Sequence, residues 1–192
     1  MCRTSIAGVL GFCLLLLAAG SALAQKAEPI ETFTAMGAQM STGRSSHITI
    51  TIERWTTAEE RQALINTLKE KGQPALTAAL YNLPRVGYIR LPDSMGYDLK
   101  YAYSTQLPDG TRRVVVAADR ALSMREAAKN NRSEKYDFAV TEMHFPKGGG
   151  SGEGKLAPAT MIEIDKETNQ IEIENYQGQP VRLMGVKSSV NK

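Results

Sequence analysis

Residues 47–53 read H-I-T-I-T-I-E, and this strict alternation of polar and apolar side chains decides the fold class. Ile48, Ile50 and Ile52 fall on one face of an extended chain, and the polar residues fall on the other. The pattern predicts a β-strand that is buried on one face. Further segments have the same short β-rich character: residues 33–40, 86–91, 99–107, 111–119, 136–145, 159–165, 171–176 and 181–186.

Turn-forming residues separate these segments. In residues 107–111, L-P-D-G-T, Pro108 fixes its own φ and Gly110 is free to adopt a positive φ. Comparable turns occupy residues 92–96, 166–169 and 177–180. Such connections are too short for the crossovers that parallel strands require, so we predict antiparallel pairing.

The fold class that follows is mainly β, a β-rich α+β domain with an inserted helical hairpin. We expect an antiparallel barrel or strongly curled sheet of about eight or nine strands. An open α+β sheet covered by the helices has the same sequence periods, and it stands as the alternative.

Residues 57–83 break the period of two and predict the helical hairpin. Thr57 and Glu60 have the spacing of a capping box, and Gly72 supplies a C-terminal stop. Pro74 suits the first turn of a second short helix, which Pro84 ends. A shorter helical turn is predicted at residues 123–129.

The N-terminus has the order of a secretory signal peptide. Arg3 precedes an unbroken nonpolar run over residues 6–19, and a small-x-small triplet ends at Ala24. The run is shorter than the roughly 20 apolar residues of a membrane span. We therefore expect cleavage after Ala24, a secreted or periplasmic product and no stable membrane anchor after cleavage. Cys2 and Cys13 would leave with the signal, giving a cysteine-free mature chain.

The expected organisation is a signal peptide at 1–24, a flexible polar lead at 25–31 and a single β-rich domain at 32–192 with the helical insertion at 57–83.

A glycine-rich segment resembles a phosphate-binding loop without completing it. Residues 149–155 spell G-x-x-x-x-G-K, but Leu156 stands where Ser or Thr must reach Mg²⁺. Pro158 and the alternating run after it indicate a strand instead of the required helix. We predict no nucleotide site and interpret residues 147–155 as a flexible loop between strands.

Metal and hydrolase chemistry also lack their usual residues. The two histidines, His47 and His144, have no zinc-ligand spacing, and the sequence contains no G-x-S-x-G elbow. The acids of residues 171–174 alternate with isoleucines and should face solvent. We predict no metal and no cofactor, lean against an enzyme, and keep a hydrolase as a distant alternative. The formal net charge of +3, without a long basic stripe, predicts no nucleic-acid partner.

Two predicted strands carry faces that grade from apolar to polar. One reads Tyr136, Phe138, Val140, Glu142, His144, and the other Leu99, Tyr101, Tyr103, Thr105. A strand shows this gradient when it runs from the closed, packed end of a cavity to the solvent-filled opening. A strand at a sheet edge that meets solvent shows the same gradient. The candidate ligand-binding residues are Tyr101, Tyr103, Phe138, Glu142 and His144.

Two binding functions fit these features. The first is an exported carrier or sensor of a small amphipathic molecule, which predicts an internal cavity lined by tyrosine and aliphatic side chains. The second is an envelope module that docks a protein or glycan, which predicts a filled core and an exposed apolar or sheet-edge patch.

Overall fold

A computed structural model describes residues 29–39, 43–92, 96–122, 138–164, 171–176 and 180–190. The strands are β1 Glu31–Gln39, β2 Arg44–Ile52, β3 Gly87–Arg90, β4 Tyr97–Gln106, β5 Arg112–Ala118, β6 Phe138–Phe145, β7 Gly152–Ile164, β8 Ile171–Tyr176 and β9 Val181–Val190. The helices are α1 Ala58–Lys71 and α2 Gln73–Asn82, between β2 and β3. The predicted strands and helical hairpin are confirmed.

The sheet closes into an eight-stranded antiparallel barrel. Strands β1 to β7 pair with their sequence neighbours, and β9 then pairs with both β7 and β1. The strand β8 lies outside the closed ring and pairs with the far half of β7. The prediction of an antiparallel barrel is therefore confirmed, and the open-sheet alternative is wrong.

Apolar side chains fill the barrel interior. Glycine at position 37 makes room for two of them, because a Cβ there would lie 2.6 Å from Cδ1 of Ile48 and 3.0 Å from Cγ1 of Val181. The following interior residues are at most 2% exposed: Phe33, Ile48, Ile50, Ile52, Ile89, Leu99, Val114, Val116, Met143, Leu156 and Leu183. A ligand cavity leaves accessible surface on the side chains around it, and these side chains retain almost none.

An ion pair closes one end of the barrel. The two terminal nitrogens of Arg112, Nη1 and Nη2, donate to the carboxylate of Glu31 at 2.7 and 2.8 Å, and Ser188 donates to the same carboxylate at 2.5 Å. The guanidinium lies 5.9 Å from the ring centres of Phe33, Trp55 and Phe145. The charged pair thus sits above the last apolar layer of the interior.

The helical hairpin covers part of the outer surface. The predicted capping box is present, with the Thr57 side chain accepting from the Glu60 amide and the Glu60 side chain accepting from the Thr57 amide. Gly72 ends α1 with φ at 77°, and a proline occupies the first turn of α2. Three of the four buried helix residues, Leu64, Leu76 and Leu80, pack with Ala117, Phe138 and Val140 of β5 and β6.

Two sequence interpretations need correction. β7 begins at Gly152, so residues 152–155 are strand and not part of a flexible loop. The glycines that indicated a loop are required by close packing instead, because a Cβ at Gly152 or Gly154 would collide with a carbonyl oxygen of β6. Glu31 is the first residue of β1 and is buried, so it does not belong to a flexible lead.

The expected signal peptide at 1–24 and the helical turn at 123–129 lie outside the described residues. Within the part of the chain that is described, none of the helices has the length and apolar character to cross a membrane.

Candidate functional site

The graded face of β6 lies on the outside of the barrel. In β4, a register shift between Leu99 and Tyr101 puts Leu99 in the interior and Tyr101 on the outer face, so the predicted single face is wrong there. Along this face of β6, Phe138 and Val140 are at most 3% exposed, whereas the His144 side chain is 40% exposed. The apolar end lies under the helical hairpin, with Tyr101 packed partly against the same cluster. The gradient is thus confirmed for the described part of β6, Phe138 to His144, while Tyr136 lies outside the described residues. The helices, and not the barrel interior, cover its apolar end.

The two tyrosines meet α1 beside this covered end. The Tyr101 and Tyr103 rings lie 6.5 Å apart, and the Arg61 guanidinium lies 4.7 Å from the centre of the Tyr103 ring. Burial raises the pKa of the Tyr101 hydroxyl, while the nearby charges of Arg61 and Arg113 oppose that rise. Arg61 therefore fixes both tyrosines against the helix, as a structural support more than as an open recognition surface.

Glu142 and His144 form a separate polar group nearer the open end of β6. The Glu142 carboxylate accepts from Arg113 Nε at 2.5 Å, and the same oxygen lies 2.9 Å from His144 Nε2. Arg113 stands directly opposite His144 on β5, which explains how one carboxylate serves both partners. The five predicted residues thus share one outer face, but they divide between the helix-covered cluster and this polar group.

An open groove lies on the polar side of Glu142 and His144. It has a volume of about 630 Å³ and crosses β6, β7 and the start of β9. Its lining residues, called here the charged groove, are Glu142, His144, Glu153, Gly154, Lys155, Pro180 and Arg182. None of the three predicted aromatic residues lines it.

The two cations of the charged groove, Lys155 and Arg182, lie next to each other. Lys155 and Arg182 are direct cross-strand partners on β7 and β9, and like charges placed opposite each other destabilise a sheet. Lys155 also stands opposite Glu142, but Arg113 and His144 already occupy one oxygen of that carboxylate. Arg182 forms an ion pair with Glu153 at 3.4 Å, between side chains that are 60% and 70% exposed. The two cations thus lie side by side at the surface, and solvent screens the ion pair that Arg182 makes.

Sequence reasoning missed Arg61, Arg113, Lys155 and Arg182. Alternation in β5 and β9 places Arg113 and Arg182 on an outward face, so their orientation was available from the sequence. The glycines around Lys155 indicate a loop, and its pairing with Arg182 follows from the return of β9 beside β7, which no local pattern reveals.

The site has no conventional metal ligands gathered together. Among the described residues, no group of three or more His, Cys, Asp or Glu side chains is placed to hold a metal ion. What the groove offers chemically is charge recognition at an exposed surface.

Comparisons with known protein families, with curated proteins and with solved structures give no match, so the functional inference rests on this geometry.

Proposed function

We propose that this protein is an exported, non-enzymatic docking module that binds an acidic segment of a partner protein in the charged groove. The observation that carries the proposal is the direct opposition of Lys155 and Arg182 across β7 and β9. A carboxylate placed between these two cations would relieve their repulsion and gain two charge-assisted hydrogen bonds.

The packing of the barrel supports docking at the surface over carriage inside. An internal carrier needs a cavity, but the interior side chains are almost fully buried against one another. The candidate residues of the carrier hypothesis face outward, and three of them lie at the helix-covered end. Glu142 and His144 keep a part in the docking proposal, because they form one wall of the groove.

Export is the second half of the proposal, and it rests on the order of charge, nonpolar run and small residues before Ala24. N-terminal sequencing of the protein recovered from its own host should begin at Gln25. A product that still contains Cys13 would contradict the proposed cleavage.

A labelled hexaglutamate peptide tests the docking site directly. Fluorescence anisotropy should show binding that weakens with added salt, since exposed charges are screened beyond about 8 Å at physiological ionic strength. The double variant Lys155→Glu/Arg182→Glu should lose at least about ten-fold in affinity, because it opposes the peptide's own charge.

The matched control is the double variant Lys69→Glu/Lys71→Glu, which changes the net charge equally at exposed positions in the last turn of α1. It should retain most of the affinity of the unmodified protein. Equal losses in both double variants would mean that the peptide senses only total charge, and the groove would no longer be supported as the docking site.

A further inference from the structure

A second feature of the outer surface lies beside the charged groove and has different chemistry. Five large apolar side chains are exposed among the described residues, and two of them are Met36 at 42% and Met184 at 43%. The methionine inside the barrel, Met143, is by contrast fully buried. Met36 and Met184 thus differ from Met143 in presenting their thioethers to solvent.

The strand register brings these two side chains together with a histidine. Met36 on β1 is the direct partner of Met184 on β9 and also of His47 on β2. All three side chains point outward, because their strand neighbours Ala35, Leu183 and Ile48 are buried in the interior. His47, Met36 and Met184 therefore form one cross-strand row, called here the thioether row.

The dimensions of the row suit a single bound ion. Directly opposed residues in antiparallel strands have Cβ atoms about 4.5–5.5 Å apart. Methionine is unbranched and flexible, so Met184 and His47 can lean from either side toward an ion held above Met36. The strand register therefore places two thioether sulfurs and one imidazole side by side on the outer surface, where one ion could be offered all three.

A β-bulge lies next to Met184 in β9. β9 uses one extra residue against β1, between the pairs Met36 with Met184 and Thr34 with Lys187. The same extra residue appears against β7, and Gly185 takes a φ of 59° there. Bulges re-aim the neighbouring side chain and increase local twist. Met184 keeps the outward direction that alternation with the buried Leu183 gives it, and the irregular residue Gly185 follows directly after it.

We propose that the thioether row binds a monovalent copper ion. Thioether sulfur is a soft ligand that selects Cu(I), and imidazole is a common copper ligand. Zinc, calcium and magnesium prefer thiolate, imidazole and oxygen ligands, which the row does not supply in sufficient number. Neutral thioethers also need no deprotonation, so the site does not depend on a cysteine.

The test uses Cu(I) itself, kept reduced with ascorbate and offered in competition with the chromogenic chelator bicinchoninate. The protein should withdraw one equivalent of copper from the chelator. X-ray absorption of the complex should show two sulfur neighbours and one nitrogen neighbour around the copper.

Loss of a residue that only hydrogen-bonds to a metal ligand typically lowers metal affinity about ten-fold or more. Loss of a residue that binds the copper directly should lower the affinity at least as much. Met36→Leu, Met184→Leu and His47→Gln should each weaken copper binding by at least that factor. These positions are exposed, so the variants should fold normally, and circular dichroism checks this point.

Met143→Leu is the matched control, since it removes a methionine that is buried in the barrel interior, away from the row. It should bind copper as tightly as the unmodified protein. Failure to withdraw copper from the chelator, unchanged binding in the three row variants, or equal weakening in the control would each overturn the proposal. None of these outcomes bears on the charged groove, because binding of the acidic peptide is measured without copper.

Discussion

At the residue scale, Glu31 is a buried charged side chain, and its partner Arg112 offsets most of the cost of burying that charge. Burial by itself raises the pKa of Glu31, but hydrogen bonds from Arg112 and Ser188, together with the charge of Arg112, outweigh it and leave the pKa below its ordinary value of 4.5. Removal of one member of such a pair exposes the full cost of desolvating the other. Replacing either residue of the pair should therefore destabilise this end of the barrel.

Glu31→Gln should lower the free energy of unfolding at neutral pH by about 1–3 kcal/mol, because Arg112 loses its counter-charge. Since the folded pKa of Glu31 is lowered, its stabilising contribution is complete above the unfolded pKa and is lost as the pH falls through the folded pKa. The unmodified protein should thus lose more stability on acidification below the ordinary glutamate pKa than Glu31→Gln does.

Urea unfolding at about pH 7 and about pH 3.5 measures both effects. Glu70→Gln, an exposed position on α1, is the control and should leave the pH dependence unchanged. Parallel loss of stability in Glu31→Gln and in the unmodified protein would show that the buried carboxylate is not the group responsible.

Little of this residue-scale chemistry could be predicted from the sequence. Glu31 and Arg112 lie 81 positions apart, and their contact exists only because the barrel closes. Glu31 instead has the appearance of the last residue of a polar lead. The alternation of β6 correctly separated its two faces, but it could not tell which face was inside, because the helices bury the outer side chains of Phe138 and Val140 as well.

At the scale of the elements, α1 depends on local signals that are readable in the sequence. Its capping box satisfies backbone donors at the N-terminus, and Arg54 adds a bidentate ion pair to the same Glu60 at 2.9 and 3.0 Å. At the far end of the hairpin, Lys100 donates to the carbonyl oxygens of Tyr81 and Leu83, at 3.2 and 2.9 Å. Polar contacts thus hold the hairpin at both ends, in addition to its apolar packing.

Thr57→Ala should destabilise the protein by about 1 kcal/mol, the usual cost of removing an N-cap side chain. Thermal unfolding followed by circular dichroism measures this difference. Thr67→Ala removes the same side chain from the interior of α1 and should be close to neutral, because alanine is the better helix former. Equal destabilisation by both variants would contradict a capping role for Thr57.

Helices and strands were predicted well because each has a local cause: a cap, a proline, a turn glycine or an alternating run. β7 is the exception. Its first residues include Gly152 and Gly154, which are usually signs of a loop, and their need for close approach to β6 appears only in the assembled sheet.

At the scale of the whole molecule, closure determines which faces are available for binding. The return of β9 between β7 and β1 fills the last gap in the ring and brings Lys155 beside Arg182 and Met184 beside Met36. The sequence predicted a barrel but not this strand order, because β8 is the local neighbour of both β7 and β9 and nothing in its pattern places it outside the ring.

Hydrogen–deuterium exchange should reveal this order of strands. β1 has a partner strand on both sides, and so do residues 182–186 of β9, so their hydrogen-bonded amides should exchange only through global unfolding. β8 pairs with β7 alone among the described strands and should exchange much earlier. Early exchange of β1 and β9, with β8 protected, would contradict closure by β9.

The position at which an acidic peptide binds is the most direct test of the proposed function. Two-dimensional ¹⁵N–¹H spectra recorded during a titration with unlabelled hexaglutamate should show the largest shifts at amides around Lys155 and Arg182, with smaller changes at Glu142 and His144. The amide shifts of the residues whose side chains fill the barrel interior, and those of α2, should not change. The proposed docking site would be contradicted by shifts that cluster at Tyr101, Tyr103 and α1. It would also be contradicted by shifts at all exposed cations without a maximum at the charged groove.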